Sequence, residues 1–357
     1  MKILTVVGAR PQFVKASALR RVLAECGIHE VLVHTGQHYD FNMSQAFFDQ
    51  LGIRAPEHSL NINGKSHGAM TGEMLTAIEA LILSERPDAV LVYGDTNSTL
   101  SGALAAAKLH VPVIHVEAGL RSFNKRMPEE INRIMTDHVS DLLFCSTTQS
   151  TRNLANENIH EGVQHVGDIM YDVTCAVLGL IRPERARESF GQTGKALAMC
   201  TIHRAENTAD PVRLQRVVDY VRGFAENHVI VLPLHPGTRA RIAAAGIDMT
   251  GITVVEPLAY LEIQELLAAC DLILTDSGGM QKEAYFHGVT CITLRDETEW
   301  VETVENGWNR LWTQDSFRPR QPIAEYGDGR SAERMVGIIE QALNDTVTKF
   351  SMSERRR

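Results

Sequence analysis

Residues Asp271 to Ala284 read DLILTDSGGMQKEA, and this order of residue types specifies a strand, a tight turn and a helix. Leu272-Ile273-Leu274 has the length of a buried strand. Gly278-Gly279 marks a sharp bend, and Met280, Ala284 and Tyr285 then recur at helical spacing. The glycines remove Cβ atoms where the backbone must turn or a ligand must approach closely. The free N–H groups at the helix start, with the positive end of the dipole, suit a phosphate. Ser277 stands where it can cap the helix. Glu283, one to two turns in, is a good acceptor for a ribose diol. Alone, a glycine pair is also an ordinary strand-to-helix bend, so its meaning depends on the rest of the chain.

The same unit recurs from the N-terminus. KILTVVG is a strand, Gly8-Ala9-Arg10-Pro11 its turn, and Val14, Ala18, Leu19 and Val22 follow at helical spacing. HEVLVHTGQ, RPDAVLVYGDTNS, VPVIHVEAGLRS and LLFCSTT read as further strands with their turns. Tyr39 to Leu51 reads as an amphipathic helix, Leu60 to Gly72 as a mobile loop, Met74 to Leu83 and Leu100 to Leu109 as helices. The alternation restarts at KALAMCTIHRAENT and runs through HVIVLPLHPGTR, GITVVEP, DLILTDSGG and VTCITLRDETE. Strands alternating with helices make parallel sheets covered on both faces. A chain of 357 residues exceeds what one core supports. Two Rossmann-like domains are therefore expected, residues 1–166 and 167–345. The last helix, Ser331 to Leu343, is free to pack back on the first domain, and residues 346–357 form a tail.

Several function classes are excluded. A net charge of −9 disfavours nucleic acid and anionic membrane as partners. No apolar run approaches the ~20 residues that span a bilayer, and the apolar start is too short for a signal-peptide core. The six cysteines are scattered with no CxxC, as buried thiols of a cytoplasmic protein are. No cluster has metal-ligand spacing, and neither GxSxG nor GxGxxG occurs.

In open α/β sheets ligands bind at the carboxyl ends of the strands. Two such domains facing each other form a cleft lined by those ends. Arg10, Lys15, Asp95, Glu117, Arg121, Glu129 and Glu130 fall there in the first half. His203, Arg204, Glu206, His235, Arg239, Ser277, Gly278, Gly279, Glu283, Arg295 and Glu299 fall there in the second. Carboxylates dominate one wall, cations and a glycine turn the other. That division suits acid–base work on a ligand whose negative charge is held elsewhere. Each residue also has a plainer role: Asp95 as a helix N-cap, Glu117 as a partner of Arg121, Glu129 and Glu130 as first-turn acids after Pro128.

As a set, GARPQFVK, VYGDTNST, HVEAGLRSFNKRMPEEINR, TIHRAEN, PLHPGTR, LTDSGGMQKEA and RDETEW resemble the non-hydrolysing UDP-N-acetylglucosamine 2-epimerases, over nearly the whole chain. The resemblance implies the GT-B fold, two Rossmann-like domains with the active site in the cleft, and a homodimer. It implies that Asp95, Glu117 and Glu129 are the acid–base carboxylates and that His203 assists near the diphosphate. Arg10, Lys15, His235, Ser277, Gly278, Gly279 and Glu283 would hold the UDP. The implied reaction eliminates UDP in the anti sense to leave 2-acetamidoglucal, then re-adds UDP with a proton on the other face. It needs neither metal nor other cofactor. It would supply precursors of surface polysaccharide. A UDP-sugar-dependent GT-B glycosyltransferase would share the fold and the UDP pocket, without needing three carboxylates at the sugar.

The chain departs from the commonest pattern at two places. Gly8-Ala9-Arg10-Pro11-Gln12 stands where GTRPE is usual, and Arg295-Asp296-Glu297-Thr298-Glu299-Trp300 where RDxTERPE is usual. Both changes resemble a subgroup that epimerises UDP-2,3-diacetamido-2,3-dideoxyglucuronate. Loss of an acid at position 12 would reduce repulsion of a substrate carboxylate. The substrate stays open between UDP-GlcNAc and the uronate.

Overall fold

The structure, a computed structural model, describes residues 1–37, 55–191 and 194–354. The helix expected over Tyr39 to Leu51 lies outside the described residues. The described chain forms two compact units, Met1–Val173 with Ala324–Arg357, and Thr174–Ile323.

In the first unit, β1 (Lys2–Val7), α1 (Arg10–Glu25), β2 (His29–His34), β3 (His58–Ser59) and α2 (His67–Glu85) come first. Then follow β4 (Ala89–Tyr93), α3 (Asn97–Lys108), β5 (Val113–Val116), α4 (Pro128–His138), β6 (Leu142–Cys145), α5 (Thr148–Asn156) and β7 (Val163–His165). Their sheet has the order β3-β2-β1-β4-β5-β6-β7, and among the described residues its strands all pair in parallel. Both faces are covered, so the strands read as continuous apolar runs. Leu4, Val6, Val33, Met74, Ile78, Val90 and Val92 pack into one core cluster.

Helix α6 (Ile169–Val177) contains the division between the units, a few residues beyond the expected junction. The second unit holds α7 (Pro183–Phe190), β8 (Ala196–Thr201), α8 (Ala205–Thr208), α9 (Pro211–Arg222), β9 (His228–Pro233) and α10 (Pro236–Ala245). It continues with β10 (Ile252–Val255), α11 (Tyr260–Ala269), β11 (Leu272–Thr275), α12 (Gly278–Phe286), β12 (Thr290–Thr293), α13 (Val301–Glu305) and β13 (Asn309–Leu311). This parallel sheet has the order β10-β9-β8-β11-β12-β13. Cys200, Val217, Leu232 and Leu274 lie in its main core cluster. The last helix, α14 (Ser331–Glu354), belongs to the first unit and packs against α1. Asp172 caps its start, accepting from the N–H groups of Ser331 at 3.0 Å and Ala332 at 2.7 Å.

Four features differ from the sequence reading. Residues 60–72 are not all loop: α2 starts at His67, with Ser66 as its N-cap, because Gly68 and Gly72 sit in an otherwise helical run and do not stop it. The strands β3, β7 and β13 have two to three residues each, too short to show a period. Helix α14 runs on through Glu354, into the expected tail, since no proline or glycine interrupts residues 338–354. Cys26 and Cys175 are exposed, whereas the other four cysteines are buried; none forms a disulfide.

In each sheet the strand order reverses once, between β1 and β4 and between β8 and β11. Such reversals leave a crevice outside the carboxyl ends of the strands, where open α/β sheets bind ligands.

Candidate active site

In the second unit the site residues obey a rule of two. Thr201, Thr275 and Thr293 end β8, β11 and β12 and stand in register across the three strands. His203, Ser277 and Arg295 each lie two positions further on, and His235 lies two positions past Pro233, the end of β9. A strand has period two, so residues at the same offset from aligned strand ends emerge together at one edge of the sheet.

The crevice between β8 and β11 is laced by Asp276, which is fully buried. Its carboxylate accepts from the backbone N–H of His203 at 3.0 Å and of Arg204 at 3.0 Å, and from Asn207 Nδ2 at 3.2 Å. The Nδ1 of the His203 ring lies 3.1 Å from Asp276 Oδ1, while about half of the His203 side chain faces solvent. Burial works against ionisation of Asp276, yet the His203 ring and the donors around it outweigh burial and hold the carboxyl below the usual range.

Ser277 caps α12 through its hydroxyl, 3.5 Å from the N–H of Met280. A Cβ at Gly278 would stand 2.3 Å from Glu299 Oε1 and 3.2 Å from Trp300 Nε1, so this position admits only glycine without a shift. A Cβ at Gly279 would meet nothing within 4 Å, which leaves that side of the helix start open. Around the turn, Arg295 Nη1 donates to Glu299 Oε2 at 2.9 Å, and Arg204 Nη2 lies 3.9 Å from Glu299 Oε1. Arg295 Nε and Nη2 and Trp300 Nε1 are buried and donate no hydrogen bond among the described residues. The helix dipole adds positive potential at the α12 start.

His235 caps α10: its Nδ1 accepts from the N–H of Gly237 at 3.2 Å, which leaves the proton on Nε2, at an exposed position. Glu283 is buried, and its Oε1 accepts from Gln264 Nε2 at 2.9 Å. Gln264 is in turn fixed by His287 at 2.7 Å. Burial pushes the His287 imidazole down to about 4.

In the first unit the crevice lies between β1 and β4. Arg10 opens α1 and is half-buried. Gln12 is buried and spans the crevice: its Oε1 accepts from the N–H groups of Gly8 at 2.7 Å and Ala9 at 3.0 Å. Its Nε2 donates to the Tyr93 carbonyl at 2.6 Å and to Thr99 Oγ1 at 2.9 Å. Gln12 is thus a brace of the two turns.

Glu117 follows β5 with φ 73°, a left-handed conformation that costs a residue with a Cβ on the order of 1 kcal/mol or more. Its backbone N–H is tied to the Phe144 carbonyl at 3.0 Å. Lys15 is buried and its ammonium pairs with the Glu117 carboxylate. Lys15 was expected at UDP, and the structure places it as the counter-charge of Glu117. Arg121, the other partner considered for Glu117, is instead joined to Asp137 at 2.7 Å and Glu157 at 2.7 Å.

Asp95 is no helix cap, for Thr96 caps α3. Asp95 pairs with Arg133, whose Nη1 also donates to Glu130 at 2.9 Å. Glu130 is buried and accepts from the N–H groups of Ser122 at 3.0 Å and Phe123 at 2.8 Å, so it closes the loop before α4. Glu129 sits half-buried in the first turn of α4, with no hydrogen bond or ion pair among the described residues.

Within the first unit, Asp95 and Glu117 follow the adjacent strands β4 and β5, where Tyr93 stands opposite Val116, and Lys15 reaches Glu117 from α1. Within the second, His203, His235, Ser277 and Gly278 share one edge. Asp276 and Arg133 had been assigned no role. The signal for Arg133 is its helical spacing from Glu129 and Glu130; Asp276 shows none beyond its place before Ser277. No group of three or more His, Cys, Asp or Glu among the described residues could hold a metal.

The family model described as UDP-N-acetylglucosamine 2-epimerase matches residues 20–340. The chain is 53% identical to the UDP-2,3-diacetamido-2,3-dideoxy-D-glucuronate 2-epimerase of Pseudomonas aeruginosa, over 87% of this chain and 88% of that one. It is 44% identical to a UDP-N-acetylglucosamine 2-epimerase homolog of Methanococcus maripaludis, over 95% of this chain and 99% of that one. Among solved structures, the Methanocaldococcus jannaschii UDP-GlcNAc 2-epimerase in complex with UDP-GlcNAc and UDP aligns with a TM-score of 0.86 at 38% identity, covering 96% of this chain and all of that one.

Proposed function

The chain belongs to the UDP-N-acetylglucosamine 2-epimerase family, and on that premise we propose that its own substrate is UDP-2,3-diacetamido-2,3-dideoxyglucuronate, inverted at carbon 2. It is a UDP-sugar 2-epimerase, an isomerase, with the GT-B fold of two Rossmann-like domains. The observation that carries the substrate is the 53% identity with the Pseudomonas aeruginosa enzyme named for that uronate, against 44% for the Methanococcus maripaludis relative. The acceptor-dependent glycosyltransferase reading falls with the family.

In the reaction we propose, the second unit holds UDP. Ser277, Gly278 and Gly279 offer the start of α12 to the diphosphate, Arg10 adds charge, His235 donates through Nε2, and Glu283 takes the ribose. A carboxylate removes the proton from carbon 2, the bond from carbon 1 to the UDP oxygen breaks, and UDP leaves with the electron pair. His203 and the α12 start stabilise the departing diphosphate. UDP then adds back to carbon 1 while an acid returns a proton to the opposite face of carbon 2. Removal and return from opposite faces require groups on both sides, which is the use we assign to Asp95, Glu117 and Glu129. Lys15 supports Glu117 as its counter-charge.

No helix among the described residues is long and apolar enough to cross a membrane. We place the enzyme in the cytoplasm as a homodimer that supplies a precursor of surface polysaccharide. Proton NMR of each nucleotide sugar with the enzyme in deuterated water tests the substrate. The manno epimer of the uronate should appear with deuterium at carbon 2, well ahead of any product from UDP-GlcNAc. Faster turnover of UDP-GlcNAc overturns the assignment.

A further inference from the structure

Asp276 lies one residue before the Ser277 cap and reaches across the reversal of strand order to the turn that carries His203. It is fully buried, and its carboxylate is turned to that neighbouring turn: it accepts from the backbone N–H groups of His203 and Arg204 and from Asn207, and its Oδ1 lies 3.1 Å from Nδ1 of the His203 ring. Asn207 is itself fixed, donating to the Leu294 carbonyl at 2.9 Å. From this geometry we infer that Asp276 is the positioning residue of His203. An anionic carboxylate accepts and does not donate, so it selects the ring form with the proton on Nδ1 and turns Nε2 outward. The backbone N–H of His203 on the same carboxylate fixes the Cα of the residue as well as its ring, so rotation of the side chain is restricted at both ends. The half-exposed face of the imidazole is then the Nε2 face, at the same edge as Ser277.

The inference rests on the reading that His203 serves the reaction at UDP, and the two can fail separately. Histidine ring spectra of the 15N-labelled full-length enzyme report the ring directly, with the His203 signals identified by their loss in His203→Gln. Neutral His203 is expected with its proton on Nδ1 and a bare Nε2, a measurement that needs no Asp276 variant. Asp276→Asn should raise the Nε2–H form, lower kcat about 10- to 100-fold as loss of an orienting partner does, and leave UDP affinity within about threefold. In the His203→Gln background the same change should cost less than about threefold, because the two act as one unit. A wild-type ring protonated on Nε2, or losses that multiply in full, overturns the positioning role. If His203→Gln keeps its kcat while the Nδ1 proton is found as expected, the pairing stands as structure and its part in the reaction is overturned.

Discussion

The side-chain nitrogen of Gln12 lies 2.6 Å from the carbonyl oxygen of Tyr93, eighty-one positions along the chain. The bond ties the turn that presents Arg10 to the turn that presents Asp95, across the point where the first sheet reverses its strand order. In the second sheet Asp276 spans the equivalent point. One crevice is held by an amide and the other by a carboxylate, and the chemistry of each follows from its partners. Gln12 meets both donors and an acceptor, and its amide answers both.

Gln12→Glu replaces the donor with an oxygen facing the Tyr93 carbonyl. Two acceptors at that distance should cost about 1–3 kcal/mol of stability at neutral pH. Protonation restores a donor, so the deficit should shrink as the pH is lowered. Urea midpoints at two pH values check this, and a midpoint equal to wild type at neutral pH removes the brace from the account.

Glu117→Gln, Asp95→Asn and Glu129→Gln should each lower kcat by about 100- to 10,000-fold, the scale of a general acid or base. UDP affinity should stay within roughly threefold, since none of these groups is assigned to the diphosphate. A variant that keeps more than about a tenth of wild-type turnover takes that residue out of the proton chemistry.

Arg10→Ala should weaken UDP binding by about 1.5–3 kcal/mol, the range for a charged hydrogen bond. Isothermal calorimetry with UDP reads it directly, and an unchanged affinity removes Arg10 from the diphosphate.

Gly278 and Gly279 are adjacent but should behave differently. Alanine at 278 meets Glu299 at 2.3 Å and Trp300 at 3.2 Å, and overpacking of this kind costs about 1–3 kcal/mol. Alanine at 279 meets nothing within 4 Å, so it should leave the melting temperature alone and weaken UDP binding by crowding the diphosphate. Equal loss of melting temperature in both variants contradicts this division.

Two buried groups give stability opposite pH slopes. Burial pushes Glu30 up from its ordinary 4.5 to about 7. The folded chain then holds a proton that the unfolded chain releases, so this group makes stability fall as the pH rises from 4.5 to 7. Burial pushes His287 down from 6.5 to about 4, so its contribution is lost as the pH falls through that window. Each is worth up to about 3 kcal/mol. The difference in melting temperature between Glu30→Gln and wild type should move in favour of the variant as the pH rises, and a difference independent of pH contradicts the assignment.

The βα alternation was legible because parallel strands buried on both faces are unbroken apolar runs, as in Ala89–Tyr93 and Leu272–Thr275. Candidate site residues were chosen for the same reason, since a polar residue just past such a run emerges at the carboxyl edge of the sheet. What stayed hidden is pairing between distant positions. Lys15 reads as a phosphate ligand, and nothing in the sequence marks its pairing with Glu117, 102 positions away. Asp276 reads as a turn residue until it meets His203, 73 positions away. Gln12 reads as a missing acid until its amide is seen bonded on both sides.

Helix α14 completes the first unit although the whole second unit precedes it in the chain. The second unit is therefore nested inside the first, and synthesis delivers it as a finished, continuous segment while the first still lacks the helix that covers α1. Domains fold as units while the chain is being made, so the inner one should mature before the outer. A chain stopped after Ile323 should give, under limited proteolysis, a resistant fragment from the second unit and rapid digestion of residues 1–173. Resistance of the N-terminal segment in that shortened chain would show that its closing helix is dispensable.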